Sequence, residues 1–185
     1  MFDLQKTPAC GNTLPARFGD CRATEAEARH ITSLAPRNGQ RQALSDALRE
    51  DFGFGLPERG AVHAANGGFV CPFGHAHYLM VSDRSVEQLA SFAHMTDQSS
   101  AWVTVELVGT SATEILARLA PVDLNPGAFP VNSILQTEVA RIHAILIRFG
   151  LMEFRIMAPR SMAKSLAREV TRAARNVESR RNVHA

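Results

Sequence analysis

The run Trp102–Asp123, WVTVELVGTSATEILARLAPVD, constrains the fold of this chain more than any other stretch. Val103, Val105 and Leu107 alternate with Trp102, Thr104, Glu106 and Val108, a period that predicts a strand with one buried face. Gly109 breaks the run. Ser111-Ala-Thr-Glu114 has the form of a capping box, in which the serine oxygen and the glutamate would each satisfy an orphan amide at a helix start. Ala112, Ile115, Leu116 and Leu119 then share one helical face, and Pro121 cannot continue the hydrogen-bond ladder. The stretch therefore reads as strand, tight turn and short amphipathic helix.

With 185 residues the chain suits one compact domain or two small lobes, a size that buries about 70% of the surface exposed by the unfolded chain. A net charge of +2 gives no reason to expect a nucleic-acid partner. Arg168, Arg172, Arg175, Arg180 and Arg181 crowd the C-terminal end, but no aromatic platform accompanies them, and they read as a solvated helix face. Cys10, Cys21 and Cys71 form an odd set without CxxC spacing, which argues against a disulfide framework and fits a reducing compartment. MFDLQKTPAC lacks the basic head and apolar core of a leader, and apolar runs such as Ile145–Ile147 are too short to span a bilayer. A cytoplasmic location without a membrane partner is expected.

Along the chain, residues 1–39 lack sustained periodicity and are punctuated by Pro8, Gly11, Pro15, Gly19, Pro36 and Gly39. They are expected to form an arm against a partner, anchored by Phe2, Leu4, Leu14 and Phe18. A domain over 40–176 follows, then a basic tail over 177–185. Leu44, Ala47, Leu48 and Phe52 predict a helix over 40–52 stopped by Gly53. The next glycines, Gly53, Gly55 and Gly60, match no phosphate-binding spacing and read as a connector. Ala61–Ala64 and Gly68–Cys71, joined through Asn66-Gly67, predict a hairpin. Tyr78–Val81 predicts a strand, and Val86, Leu89, Ala90 and Ala93 a helix after it. Thr137–Phe149 and Leu151–Ala158 predict two further strands, the first apolar on both faces and so central. A final helix capped by Ser161 would bury Met162, Leu166, Val170 and Ala173 or Ala174. The sum is an α+β fold, an antiparallel or mixed sheet with helices on one side.

Candidate chemistry is sparse. Cys71, His75 and His77 have metal-ligand character, but no fourth ligand is near in sequence, and an exposed histidine pair in a turn is the plainer reading. Cys71 could pair with His63 or His94 as a nucleophile and base, although seven histidines allow such pairings on paper. Asp97, before the strand, is the residue to weigh as an acid or base, and a capped turn is its plainer role. His143, between apolar residues, reads as a core or interface histidine. No catalytic, cofactor-binding or metal-ligating residue is assigned to this chain.

Asp97-Gln-Ser99, Leu107-Val-Gly109, the Ile115-Leu116 helix and Asp123-Leu124 together resemble the glycine-cleavage T-protein (aminomethyltransferase) family, over roughly Leu44 to Arg175. Within it the pattern is similar to gamma subunits of heterotetrameric sarcosine oxidase, which also carry a Phe-Pro pair as at Phe129-Pro130, an Arg-Ser pair as at Arg160-Ser161, and Leu56-Pro57 with Gly60 after a helix. The resemblance implies a truncated T-protein-like body without an active site of its own. It also implies alpha, beta and delta partners, alpha most directly. NAD and tetrahydrofolate sites would lie on alpha, FAD on beta, FMN between the two, and zinc on delta. Such an assembly demethylates sarcosine oxidatively to glycine and hydrogen peroxide and passes the one-carbon unit to tetrahydrofolate. The alternatives are a stand-alone folate-binding aminomethyltransferase-like protein, a gamma subunit of a related N-methyl amino acid or amine dehydrogenase, and, more weakly, a metal module built on Cys71, His75 and His77.

Overall fold

The structure, a computed structural model, describes residues 7–27, 29–65 and 67–183. The chain divides into two compact units. Unit 1 comprises Met1–Ala26, Val103–Val131 and Leu135–Ala185, and unit 2 comprises Glu27–Trp102 with Asn132–Ile134.

Unit 1 is built on a six-stranded sheet of order β1-β2-β8-β11-β10-β9, with β1 Ala16–Phe18, β2 Cys21–Glu25, β8 Trp102–Val108, β9 Ser133–Val139, β10 Ile142–Gly150 and β11 Glu153–Pro159. The pairs β1–β2, β2–β8 and β10–β11 are antiparallel. Helices α2 (Ala112–Ala117) and α3 (Ala163–Val183) share one core with one face of this sheet. Val103, Val105 and Leu107 of β8 supply the predicted buried face, meeting Leu146 of β10, Phe154 and Ile156 of β11, and Leu166 and Val170 of α3. Each such fully buried side chain contributes about 1.5–3 kcal/mol relative to an exposed one. Ile145, Ile147 and Met157 are buried on the opposite face, as expected for an inner strand.

Unit 2 holds a five-stranded sheet of order β4-β5-β6-β3-β7, from β3 His30–Pro36, β4 His63–Ala65, β5 Gly68–Pro72, β6 Tyr78–Ser82 and β7 Ala93–Asp97. Helix α1, Arg41–Phe52, packs Leu44, Leu48 and Phe52 against Leu34, Val70, Tyr78 and Met80. Gly53 ends it in the left-handed conformation, its amide donating to the Arg49 carbonyl. The Ser45 hydroxyl accepts from the Leu56 amide at 3.0 Å and ties the glycine-rich connector to the helix.

The α+β reading holds, with two antiparallel sheets where one was expected, and several local expectations are corrected. The stretch 1–39, read as an arm without structure of its own, carries β1, β2 and β3, which join both sheets. Its prolines and glycines punctuate short strands. Leu14 and Phe18 are core residues of unit 1, whereas Phe2 and Leu4 lie outside the described residues. Of the hairpin dipeptide, Asn66 is likewise outside them, and Gly67 has φ +98° as the turn requires.

The helix expected at Val86–Ala93 is a 3₁₀ turn, Glu87–Ser91, because Ala93 already belongs to β7 on the outer side of β3. Thr137–Phe149 is two strands. Its break falls at Ala140-Arg141, both at positive φ, +53° and +64°, a hairpin turn made without the glycine or asparagine that would have announced it. Ser161 lies inside a 3₁₀ turn, Arg160–Met162, and does not cap α3, and Met162 is 44% exposed. The basic tail expected from residue 177 continues α3, with Val177 buried in the core.

Candidate functional site

The chemically unusual residue of unit 1 is Arg148, a charge on an inner strand with only 2% of its surface exposed. Its guanidinium lies 4.9 Å from the Phe154 ring centroid. Nη1 donates to the carbonyls of Leu124 at 3.1 Å and Phe129 at 2.6 Å, and Nη2 donates to that of Leu151 at 3.1 Å. Burial lowers its pKa, yet three carbonyl dipoles offset part of the desolvation, and an arginine stays protonated. One side chain thus fixes both the 123–131 loop and the turn between β10 and β11.

That turn is also held from β8, since the Gly109 amide donates to the Met152 carbonyl at 3.0 Å. With its backbone so fixed, Leu151 and Met152 remain 63% and 49% exposed, and Val108 beside Gly109 is 38% exposed. Apolar side chains held exposed on a fixed backbone in this way suit contact with another surface.

A second feature joins three elements through Asp20, in the β1–β2 turn. Its carboxylate accepts from the Thr110 amide at 2.7 Å, from the Thr110 hydroxyl, and from the Ser111 hydroxyl at 2.8 Å, while Arg181 of α3 lies at 3.5 Å. Hydrogen bonds from Thr110 and then Ser111 hold its pKa down to about 2. Ser111 is therefore not the cap that the capping-box pattern predicts. Glu114 pairs with Arg118 at 3.1 Å and lies 3.7 Å from Arg181. Gly109 permits the close approach: its φ is +139°, and a Cβ there would sit 2.5 Å from the Asp20 carbonyl oxygen.

An open groove of about 730 Å³ runs between the first strand region and α3, lined in part by Asn12, Thr13, Arg17, Arg168, Arg172 and Arg175. Of the five arginines of the C-terminal end, read from sequence as one solvated face, four thus fall into two groups. Arg181 serves the Asp20 network, and Arg168, Arg172 and Arg175 line a concave surface opposite Arg17.

The other candidates are not assembled into a site. Cys71 is fully buried, and burial pushes its thiol up to about 12. Cys10 rises to about 12, by burial and then by the Glu25 carboxylate, and Cys21 to about 11, by burial and then by Asp20. Thiols held neutral in this way are poor nucleophiles and metal ligands. His75 and His77 are exposed, and Nδ1 of His77 donates to the His75 carbonyl at 2.8 Å. Among the described residues, no group of three His, Cys, Asp or Glu side chains is placed to hold a metal ion.

His63 is exposed and donates through Nδ1 to the Gly55 carbonyl at 2.8 Å, and His94 is exposed on β7. Asp97 is an exposed turn former. It accepts from the Ser99 hydroxyl at 2.6 Å and the Ser99 amide at 2.9 Å, which lower its pKa away from the range of a base working near neutrality. His143, read as a core or interface histidine, is exposed, because it falls on the single outward position at the start of β10. No helix of the described residues is long and apolar enough to cross a membrane.

Comparisons with known proteins agree with this layout. No family model matches the chain. It is 32% identical over 114 residues to the sarcosine oxidase subunit gamma of Corynebacterium sp. (strain P-1), an alignment spanning 56% of this chain and 56% of that subunit, a little over half of either. In fold it is similar to a chain of the heterotetrameric sarcosine oxidase from Corynebacterium sp. U-96, solved in complex with pyrrole 2-carboxylate. The TM-score is 0.77 at 23% identity, over 92% of this chain and 91% of that one. It is also similar to the glycine cleavage system aminomethyltransferase T from Bartonella henselae. There the TM-score is 0.57 at 14% identity, over 90% of this chain and 52% of that one. The fold is thus that of these proteins, at about half the length of the aminomethyltransferase.

Proposed function

We propose that this chain is a gamma-type subunit of a heterotetrameric oxidase of the sarcosine oxidase kind, one that contributes surface and not an active site. The observation that carries this reading is the 32% identity with a sarcosine oxidase gamma subunit. Supporting it, a fold of the same extent as a chain of such an assembly accounts for 92% of the sequence. The fixed apolar turn at Leu151-Met152 and the three neutral, buried thiols fit a subunit that binds partners.

Its direct partner on this reading is the largest, alpha-type subunit. NAD, FAD, FMN, zinc and tetrahydrofolate would be held by the partner chains, in the cytoplasm. Sarcosine is the substrate the relatives suggest, and the partner that binds it would set the choice among N-methylated amines.

Co-expression with the products of the adjacent genes tests this. The expected result is a stoichiometric complex by gel filtration that produces peroxide from sarcosine, with this chain present at one copy. A chain that purifies alone as a stable monomer and turns over substrate would overturn it. The fold shared with an aminomethyltransferase makes a folate titration of the isolated chain the companion measurement, expected to give no one-to-one signal.

A further inference from the structure

We infer that the arginine-lined groove between β1 and α3 receives an extended, acidic segment of the partner subunit. The inference rests on the subunit reading above and assigns one of its contact surfaces. Lys164, Arg168, Arg172 and Arg175 follow one another at spacings of four, four and three along α3, so their charges lie on one helix face. Like charges at these spacings disfavour an isolated helix, so a stripe of this kind gains from a neutralising partner. Among the described residues Arg172 is the groove arginine with a carboxylate partner, Glu169, and the lining sets one carboxylate, Glu178, against four arginines, so positive charge prevails. Arg168 donates to the Lys164 carbonyl at 3.2 Å and Arg17 to the Gly19 carbonyl at 3.3 Å, bonds that leave their charge unneutralised.

The opposite wall says what form the occupant takes. β1 ends the order of its sheet, so its outer edge has no neighbouring strand among the described residues, and an extended peptide is the ligand that such an edge recognises. Asn12 and Thr13 add hydrogen-bonding groups beside it. Thr171, on the α3 side of the groove, is 8% exposed, and its hydroxyl has no partner among the described residues. The aromatic residue in the lining, Phe18, is itself buried in the core, so the groove presents no platform for stacking bases. An acidic peptide strand therefore fits these walls better than a nucleic acid.

The test uses the full chain and a fluorescein-labelled hexapeptide of alternating glutamate and valine, with a lysine-valine peptide as the control. Wild-type protein is expected to bind the acidic peptide, more weakly as salt rises, and not the basic one. Arg17→Glu with Arg175→Glu, one change on each wall, is expected to weaken binding at least ten-fold. Arg17→Lys with Arg175→Lys should retain most of it, and Arg180→Glu, on the same helix outside the groove, should change it less than two-fold. Thermal melting of each variant separates lost binding from lost folding.

In the assembled complex the doubly reversed variant should dissociate at lower salt than wild type. Equal binding of both peptides, tighter binding of single-stranded DNA, or assembly of the reversed variant as tight as wild type would overturn the groove assignment while leaving the subunit reading standing. If wild-type chain fails to assemble at all, it is the subunit reading that falls, and the peptide titration still decides the groove.

Discussion

Nη2 of Arg148 donates to the carbonyl of Leu151 at 3.1 Å, so the last inward-facing side chain of β10 shapes the turn that follows it. The register between β10 and β11 shifts between Arg148 and Gly150, next to the turn that the guanidinium holds. A buried cation here is a structural bolt, and its removal should be felt at the surface.

Arg148→Met is expected to lower stability by about 3 kcal/mol, since three carbonyls lose their donor in a buried setting. Urea unfolding measures the loss. Amide exchange should quicken first at the 123–131 loop and at Leu151-Met152, a local signature that a uniformly weakened core would not give.

Replacing Ala140-Arg141 by Asn-Gly should raise stability. Both positions are at positive φ, and each non-glycine residue there costs on the order of 1 kcal/mol. A gain of about 1–2 kcal/mol corresponds to a melting temperature roughly 3–6 °C higher for a chain of this size. An unchanged or lowered melting temperature would show that Arg141 contributes something besides the turn.

Asp20 sets an acid limit. Its folded carboxyl titrates at about 2 against 3.8 for the unperturbed group. A depressed folded pKa contributes stability that is fully present above about pH 4 and is lost as the pH falls towards 2. Asp20→Asn should therefore be less stable than wild type at neutral pH and converge with it near pH 2, as followed by urea midpoints across that range.

The three cysteines should resist modification in the folded chain, because all are buried and their thiols are held neutral. Dithionitrobenzoate should titrate well under one thiol in native protein and all of them in guanidinium. Fast release from native protein would show that one of the thiol pockets opens.

The elements legible from sequence are those in which periodicity and burial coincide. β8 alternates cleanly because one face meets the core, and α1 is bracketed by its apolar spacing and Gly53. The errors came where one local signal stood for another. Ser111 and Glu114 have capping-box spacing, yet Asp20 competes for the serine hydroxyl from some ninety positions away in the chain, as their 2.8 Å contact shows. The turn at Ala140-Arg141 carries no turn residue, and the strain is sustained by the strands on either side.

The groove was the least legible feature. Arg17 and Arg175 are distant in sequence, and only the packing of α3 beside β1 gives their charges a common cavity. Arg148 falls inside the run Thr137–Phe149, and nothing local in the sequence tells a buried cation from an exposed one.

The order in which the units use the chain bears on how the polypeptide emerges from the ribosome. Nearly all of unit 2 is one continuous run, Glu27–Trp102, whereas unit 1 is gathered from segments on either side of it. Strands β1 and β2 precede unit 2 in the chain, but β8, which pairs with β2, follows some eighty residues later and α3 later still. Unit 2 can therefore close while the opening strands of unit 1 remain uncovered, and that interval is when a nascent chain of this kind most needs a chaperone or a waiting partner.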